Sequence, residues 1–234
     1  MSFIAVLACL SLQHIDNDIV YGTVGEKKLL LDAYRPPTPN GRVFIAVHGG
    51  QYTSGAKGGE TGEICRYLSK RGFTCFDINY RLQKDVGGDI SNALKIAIDD
   101  TITAYHWVEK NATTYGGNPG RIAIGGVSSG AVIAMTTAYS RRIGARAVVD
   151  LWGGLFGEQS DIHRGDPPLL IVHGLNDKVI SIAMARAIEN RAKSVKVPVR
   201  FLLHRGGHAI DLTKNINRYS VLEHIDSFLR ETIN

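Results

Sequence analysis

Cysteine is scarce in this chain of 234 residues, which contains three. Cys9, Cys65 and Cys75 lack the short paired spacings of a metal site, and an odd number argues against a framework of disulfides. We expect Cys65 and Cys75 to be small buried apolar side chains. The sequence predicts neither a bound metal nor a cofactor.

Long apolar runs are also missing. No segment approaches the ~18 apolar residues of a transmembrane helix, so we expect no stable membrane insertion. Residues 3–12 form a shorter apolar run, but no Lys or Arg precedes it and no small-x-small cleavage site follows. Residues 1–20 are therefore interpreted as an N-terminal apolar segment, either an edge strand or the remnant of an export signal. A strand favours the cytoplasm, whereas a trimmed signal implies export.

Dense basic stretches are absent, although the formal net charge is +5. The densest basic groups are the pairs at 27–28 and 141–142, and such scattered charge predicts no nucleic-acid partner. Hydrophobic residues make up 44% of the chain and charged residues 21%, as is typical of globular domains. Since no repeat or low-complexity linker interrupts the chain, we expect residues 21–234 to form a single domain.

Strand-like and helix-like segments alternate along the chain. This alternation is typical of an α/β fold, in which helices cover both faces of a mostly parallel sheet. In the longest helix, Leu94, Ile98 and Ile102 recur at helical spacing. The predicted strands lie near residues 28–34, 43–48, 74–79, 121–126, 145–151, 168–173 and 199–204. The predicted helices lie near residues 60–71, 90–112, 129–141, 181–194 and 219–232.

The clearest motif is the G-x-S-x-G sequence of residues 126–130, which follows an apolar strand and precedes a helix-like segment. A serine in this pattern is held on a sharp strand-to-helix turn that presents its hydroxyl above the sheet edge. Centring the motif on Ser128 places glycine at both positions where a side chain would clash. Centring it on Ser129 would place Val127 and Ala131 there. We therefore expect acyl transfer through Ser128.

Two further polar residues each follow a predicted strand. Asp177 lies 49 residues after Ser128, and His208 lies 31 residues after Asp177. Parallel sheets place ligands beyond the carboxyl ends of their strands, so these side chains are expected to meet. His208 would take the proton of the serine hydroxyl and later protonate the leaving group, while Asp177 would orient the imidazole. Asp150, at the end of another strand, is the rival to Asp177.

A fourth motif lies upstream, where residues 42–47 have the pattern of a buried strand that leads into His48-Gly49-Gly50-Gln51. Glycine allows the backbone to approach a substrate closely. Backbone amides in such a loop stabilise the oxyanion of a tetrahedral intermediate. We expect His48 to brace this loop.

Together these motifs resemble the α/β-hydrolase superfamily, specifically its HGG-containing branch. That branch includes carboxylesterases related to hormone-sensitive lipase, acetyl-xylan and feruloyl esterases, and kynurenine formamidases. The resemblance extends to the C-terminus and includes residues 77–82, which are similar to the "DYRL" strand end of the family. The chain order Ser, Asp, His is that of the superfamily. The resemblance implies an oxyanion hole formed by the amides of Gly50, Gln51 and Ser129, with Ser129 using its backbone alone.

The predicted strands that end at Leu151 and begin at Pro168 are separated by about 16 residues, too few for the helical cap that many lipases and esterases insert there. We expect a single-domain α/β-hydrolase without a cap, with an open cleft. The residues expected in the walls of this cleft are Tyr52, Trp152, Leu155 and Phe156. Such a cleft suits short-chain or aromatic acyl groups, because nothing encloses a long chain.

The resemblance implies a serine carboxylic ester hydrolase that forms an acyl-enzyme on small-molecule or polymer-attached esters. The alternative is an amidase or peptidase of the same fold, similar to kynurenine formamidase. A third hypothesis is a non-catalytic binding protein. The sequence predicts no particular oligomeric state.

Overall fold

The computed structural model describes residues 13–156 and 159–234. Its main sheet has eight strands in the order β1-β2-β4-β3-β5-β6-β7-β8. Strands β3 to β8 are parallel, whereas β2 pairs antiparallel with both β1 and β4. The strands are β1 (His14–Val24), β2 (Lys27–Arg35), β3 (Gly41–Val47), β4 (Thr74–Ile78), β5 (Gly117–Val127), β6 (Val148–Leu151), β7 (Leu169–Gly174) and β8 (Val199–His204). This sheet confirms the predicted α/β class.

The described residues form six α-helices, of which the last follows the final strand. They are α1 (Gly59–Ser69), α2 (Gln83–Val86), α3 (Ile90–Asn111), α4 (Ser129–Met135), α5 (Ile182–Ser194) and α6 (Val221–Thr232). The helix predicted at 129–141 is divided, because α4 continues as one π-helical turn over Thr136–Ser140. The sequence did not predict α2 or the small hairpin of β9 (Asn215–Ile216) and β10 (Tyr219–Ser220), which are too short to show a hydrophobic period.

The two faces of the sheet are covered by separate helical layers. Successive residues of β3 point to opposite faces, so Ile45 packs in one apolar cluster and Phe44 in the other. The cluster around Ile45 includes residues of α3, α4 and α5, such as Ile188. The cluster around Phe44 includes residues of α1 and α6, such as Cys65 and Phe228. Burial of both faces explains why the parallel strands are nearly continuous apolar runs.

An edge strand was one of two interpretations of residues 1–20, but the edge strand β1 begins after the apolar run that suggested it and extends to Val24. Most of its residues are at least partly exposed, and its register to β2 is interrupted between Asp16 and Ile19, so it has no clear alternation of apolar and polar residues. It runs across the predicted boundary after residue 20. The apolar run at residues 3–12 and Cys9 lie outside the described residues, so the division of the chain at residue 20 stays a prediction.

The connection from β6 to β7 contains no α-helix within its described residues. A single turn of 3-10 helix, Gln159–Asp161, interrupts it. Across residues 13–156 and 159–234, no helix combines the length and the apolar character needed to cross a membrane. Cys65 and Cys75 are buried and free, as the sequence predicts.

Candidate active site

Ser128 lies at the sharp turn between β5 and α4. Its φ is 53°, a left-handed conformation that is unfavourable for a residue with a side chain. The flanking glycines make this turn possible: a Cβ on Gly126 would lie 2.5 Å from the backbone of Gly130, and a Cβ on Gly130 would lie 2.1 Å from the Val47 carbonyl oxygen. The backbone amides of the first turn of α4 bond to the Ser128 carbonyl, so the serine caps this helix.

Ser128, His208 and Asp177 are joined by hydrogen bonds. Ser128 Oγ lies 2.8 Å from His208 Nε2, and His208 Nδ1 lies 2.8 Å from Asp177 Oδ2. A carboxylate only accepts hydrogen bonds, so Nδ1 carries the imidazole proton and Nε2 accepts the hydroxyl proton of Ser128. The three residues follow the ends of β5, β7 and β8, which lie at the same edge of the sheet.

Asp177 is held as an anion by donors on both of its oxygens. Oδ1 accepts the backbone amides of Val179 and Ile180 at 2.8 and 2.9 Å. Burial raises the pKa of Asp177, but the bond from His208 and the two amides outweigh this effect and hold the pKa below its usual range. The carboxylate is therefore ionised at neutral pH, as a group that stabilises an imidazolium requires.

Asp150, the rival acid, has a different environment. It is fully buried, its Oδ1 accepts the amide of Gly153 at 2.8 Å, and its Oδ2 has no hydrogen-bond partner. Burial raises the pKa of Asp150 to about 7. No hydrogen bond joins it to His208. Among the described residues, Asp177 is thus the carboxylate that contacts this histidine.

The loop after β3 brings three consecutive residues with positive φ next to Ser128. These φ values are 118° at Gly50, 55° at Gln51 and 64° at Tyr52. The N–H of Gln51 donates to Ser129 Oγ at 3.0 Å. In this structure the amide that was expected to bind an oxyanion therefore already has an acceptor. The reason is that the Ser129 side chain, expected to be idle, points towards the loop and accepts the bond.

His48 is buried beneath this loop and is neutral. Its Nδ1 donates to the Gly49 carbonyl at 2.7 Å. Its ring stacks on Tyr80, with centroids 4.2 Å apart. Burial lowers the pKa of His48 to about 4, since no acid faces the ring to offset the lost hydration. These contacts are those of a residue that braces the loop.

Two cavities meet at Ser128. The first, which we call the apolar cavity, has a volume of about 210 Å³ and is lined by Tyr52, Ile90, Val132, Phe156, Val179 and Ile180. The second, which we call the His208 cavity, has a volume of about 430 Å³. Its walls include Gly50, Gly59, Glu60, Thr61, Trp152 and His208. A substrate whose reacting carbon lies at Ser128 thus has space on both sides of that atom.

The four predicted wall residues are distributed unevenly. Tyr52 and Phe156 line the apolar cavity, and Trp152 lines the His208 cavity. Leu155 is among the walls of neither cavity and packs in the cluster around Ile45. The sequence could not show this, since an apolar residue in an irregular segment gives no signal of the direction in which it points.

Other wall residues of the apolar cavity were missed. Val132 lies one turn beyond Ser128 in α4, and Ile90 begins α3 on a neighbouring connection. Val179 and Ile180 follow the acid directly, so their closeness to Asp177 in the sequence was the available signal. Within residues 13–156 and 159–234, no group of three or more His, Cys, Asp or Glu side chains is arranged to hold a metal ion.

Comparisons with known proteins show a family and several similar esterases. A family model described as BD-FAE matches residues 31–148, half of the chain, which includes the HGG loop and Ser128 but ends before Asp177. Two curated relatives are esterases of Mycobacterium tuberculosis. The probable carboxylic ester hydrolase LipM is 25% identical over 92% of this chain, and the esterase LipQ is 26% identical over 91%. The chain spans 61% of the length of each.

A solved structure extends the comparison to the fold. Esterase 2 of Thermogutta terrifontis superposes with a TM-score of 0.79 at 20% sequence identity, covering 94% of this chain and 92% of that one. A butyrate-bound structure of the same esterase gives a TM-score of 0.78. At this level of identity the likeness establishes the α/β-hydrolase fold.

Proposed function

The chain belongs to the BD-FAE family, and from this premise we propose that it is a serine hydrolase of carboxylic esters. The observation that carries the proposal is the hydrogen-bonded series Ser128, His208 and Asp177 at the meeting point of two cavities. A serine hydroxyl becomes an effective nucleophile when an adjacent base accepts its proton and a third group orients that base. All three groups lie here within hydrogen-bond distance.

The chemistry proceeds through an acyl-enzyme. Ser128 Oγ bonds to the carbonyl carbon of the ester while its proton passes to His208 Nε2. His208 then gives that proton to the alcohol oxygen as the carbon–oxygen bond breaks. A water molecule, deprotonated by the same nitrogen, attacks the acyl carbon. The bond from that carbon to Ser128 Oγ then breaks, His208 returns the proton to Oγ, and the acid is released. Asp177 stabilises the imidazolium in both halves of the reaction and stays ionised throughout.

The position of His208 assigns the two sides of the substrate. Because His208 must protonate the leaving group, the alcohol lies in the His208 cavity. The acyl group then occupies the apolar cavity, whose walls are mainly side chains such as Val132 and Phe156. We propose short-chain or aromatic acyl groups, since the cavity is small and its outer wall is open to solvent. The larger His208 cavity accommodates alcohols of varied bulk, small or attached to a polymer.

A substrate panel tests this function. Turnover of p-nitrophenyl esters from acetate to dodecanoate is measured, with N-formylkynurenine and aminoacyl anilides beside them. We expect ester hydrolysis to be fastest from acetate to butyrate and to fall by octanoate. Ser128→Ala serves as the reference for background hydrolysis and is expected to remain folded. Ester turnover no faster than that of Ser128→Ala would refute the proposal. Faster turnover of N-formylkynurenine or the anilides than of every ester would replace it with the amidase alternative.

A further inference from the structure

The hydroxyl of Ser129 has no part in the chemistry above, yet it is buried against the HGG loop. Ser129 is 5% exposed. Its Oγ accepts a hydrogen bond from the backbone N–H of Gln51 at 3.0 Å. The two residues are 78 positions apart in the chain, so this bond ties the loop after β3 to the first turn of α4.

Tyr80 adds a second attachment of the same loop. Its hydroxyl donates to the carbonyl of His48 at 3.0 Å, and its ring stacks on the His48 imidazole. Burial raises the pKa of Tyr80, and a hydrogen bond with the Ser129 side chain opposes that rise. Ser129 and Tyr80 therefore lie side by side and hold both ends of the segment 48–51.

The loop that they hold has a backbone that is unfavourable by itself. Gln51 and Tyr52 both have positive φ and both carry a Cβ, which clashes with the backbone in the left-handed region. Residues persist in such conformations only where the surrounding contacts determine them. For Gln51 the bond to Ser129 Oγ is such a contact.

The same bond determines which amides remain for a substrate. The N–H of Gln51 already has an acceptor. The N–H groups of Gly50 and Ser129 have no acceptor within the part of the chain that the structure describes. Gly50 and Ser128 both line the His208 cavity. Ser129 is the residue that follows Ser128 in the chain. Free amides directed at the reacting centre are what an oxyanion hole requires.

We propose that the Ser129 hydroxyl is a positioning group that locks the oxyanion loop through the Gln51 amide, and that the oxyanion is bound by the amides of Gly50 and Ser129. This rests on the proposed esterase function. Ser129 acts through the loop and does not touch the substrate with its side chain. Its removal loosens Gly50 and so weakens binding of the transition state more than binding of the ester.

The test compares Ser129→Ala with a control in the same loop. The Ser54 hydroxyl donates to the Gly50 carbonyl at 3.1 Å, but that carbonyl also accepts the backbone amides of Thr53 and Ser54, so Ser54→Ala leaves the loop held. For each variant, kcat and KM are measured with p-nitrophenyl acetate. Affinity is measured for a trifluoromethyl ketone, which forms an oxyanion when Ser128 adds to it, and for butyrate, which forms none.

We expect Ser129→Ala to lower kcat about tenfold and to weaken trifluoromethyl ketone binding by a similar factor, with KM and butyrate affinity changed by less than about twofold. Ser54→Ala is expected to match the wild type in all four quantities. Where Ser129→Ala does not fold, Ser129→Cys, whose sulfur is a weak acceptor, is expected to show the same pattern.

An unchanged kcat in Ser129→Ala would overturn the inference, because the side chain would then be idle. A raised kcat would overturn it too, since the freed Gln51 amide would be serving as a third oxyanion donor. A fall in butyrate affinity equal to the fall in ketone affinity would indicate a general disturbance of the site. Failure of the esterase function itself is distinguished by wild-type turnover no faster than that of Ser128→Ala.

Discussion

His173 Nε2 lies 3.4 Å from Asp177 Oδ2, the oxygen that also accepts the bond from His208. The same nitrogen lies 2.9 Å from the Ile180 carbonyl, an acceptor only, so Nε2 carries the proton of His173. His173 is fully buried at the end of β7 and supports the turn that carries the acid. Two imidazole groups thus lie near the same carboxylate oxygen.

Replacing His173 tests this support. We expect His173→Phe to lower the free energy of unfolding by about 1–3 kcal/mol, because the Ile180 carbonyl loses its side-chain donor in a buried site. Its kcat should fall less than that of Asp177→Asn, since the bond from His208 to the carboxylate remains. Urea denaturation and steady-state kinetics check the two parts. A variant as inactive as Asp177→Asn would mean that His173 is itself essential to the chemistry.

Replacing each candidate acid with asparagine distinguishes Asp177 from Asp150. Asp177→Asn is expected to lower kcat by about 10⁴, because the amide favours the wrong tautomer of His208. Asp150→Asn is expected to retain kcat within about tenfold, since Asp150 makes no contact with the histidine. Both are measured with p-nitrophenyl acetate at neutral pH. Equal losses in the two variants would contradict the assignment of the acid.

The raised pKa of Asp150 predicts how the free energy of unfolding depends on pH. Its pKa of about 7 in the folded chain exceeds the value of about 4 expected when unfolded, so the folded state binds the extra proton between these values. This contribution to the unfolding free energy is present in full below about pH 4 and is lost as pH rises towards 7. Burial also raises the pKa of Asp77 to about 7, so Asp77 likewise lowers the unfolding free energy as pH rises towards 7.

Asp150→Asn is therefore expected to flatten the pH dependence. Relative to the wild type, its unfolding free energy should rise by about 3 kcal/mol between pH 5 and pH 8, because the wild type alone loses the Asp150 contribution. Urea denaturation at several pH values gives the comparison. Parallel curves for the two proteins would show that Asp150 does not titrate in this window.

Phe156 is expected to determine part of the acyl preference. It is 50% exposed on the wall of the apolar cavity, so its removal should leave the fold intact. Phe156→Ala should lower kcat/KM for the butyrate ester about fivefold and leave the acetate ester nearly unchanged, since each buried CH₂ contributes about 0.8 kcal/mol.

The control for this prediction is another exposed aromatic residue. Tyr219 is 56% exposed on β10 and lines neither cavity at Ser128, so Tyr219→Ala should leave the ratio of butyrate to acetate turnover unchanged. If Phe156→Ala also left the ratio of butyrate to acetate turnover unchanged, the assignment of the acyl group to the apolar cavity would be contradicted. A maximum at octanoate or longer in the wild type would contradict the short-chain preference.

Regular elements and the motif-bearing turns were predictable from the sequence because each has a local signal. The parallel strands are apolar on both faces, and the two glycines around Ser128 fix the register of its turn. The edge strand β1 has no such signal, since it is solvated and interrupted. The predicted α/β fold is confirmed. The catalytic roles of Ser128, His208 and Asp177 stay proposals.

Contacts between distant segments could not be predicted. The bond from Gln51 to Ser129 joins residues 78 positions apart and depends on three consecutive positive φ values. No sequence pattern indicates that Gln51 and Tyr52, which are not glycines, both have positive φ. In the same way, Leu155 lies in an irregular segment, where no period shows which side faces the core. Asp177 and Asp150 both follow strands, so only the three-dimensional contacts distinguish them.

The central claim is that Ser128 is the nucleophile, and covalent labelling tests it most directly. The protein is treated with paraoxon, digested, and analysed by mass spectrometry, with Ser128→Ala treated in parallel. We expect one diethyl phosphoryl group per chain, located on Ser128, and none on the variant. Labelling of Ser129, retention of the label in Ser128→Ala, or an unlabelled wild type that still hydrolyses esters would contradict it.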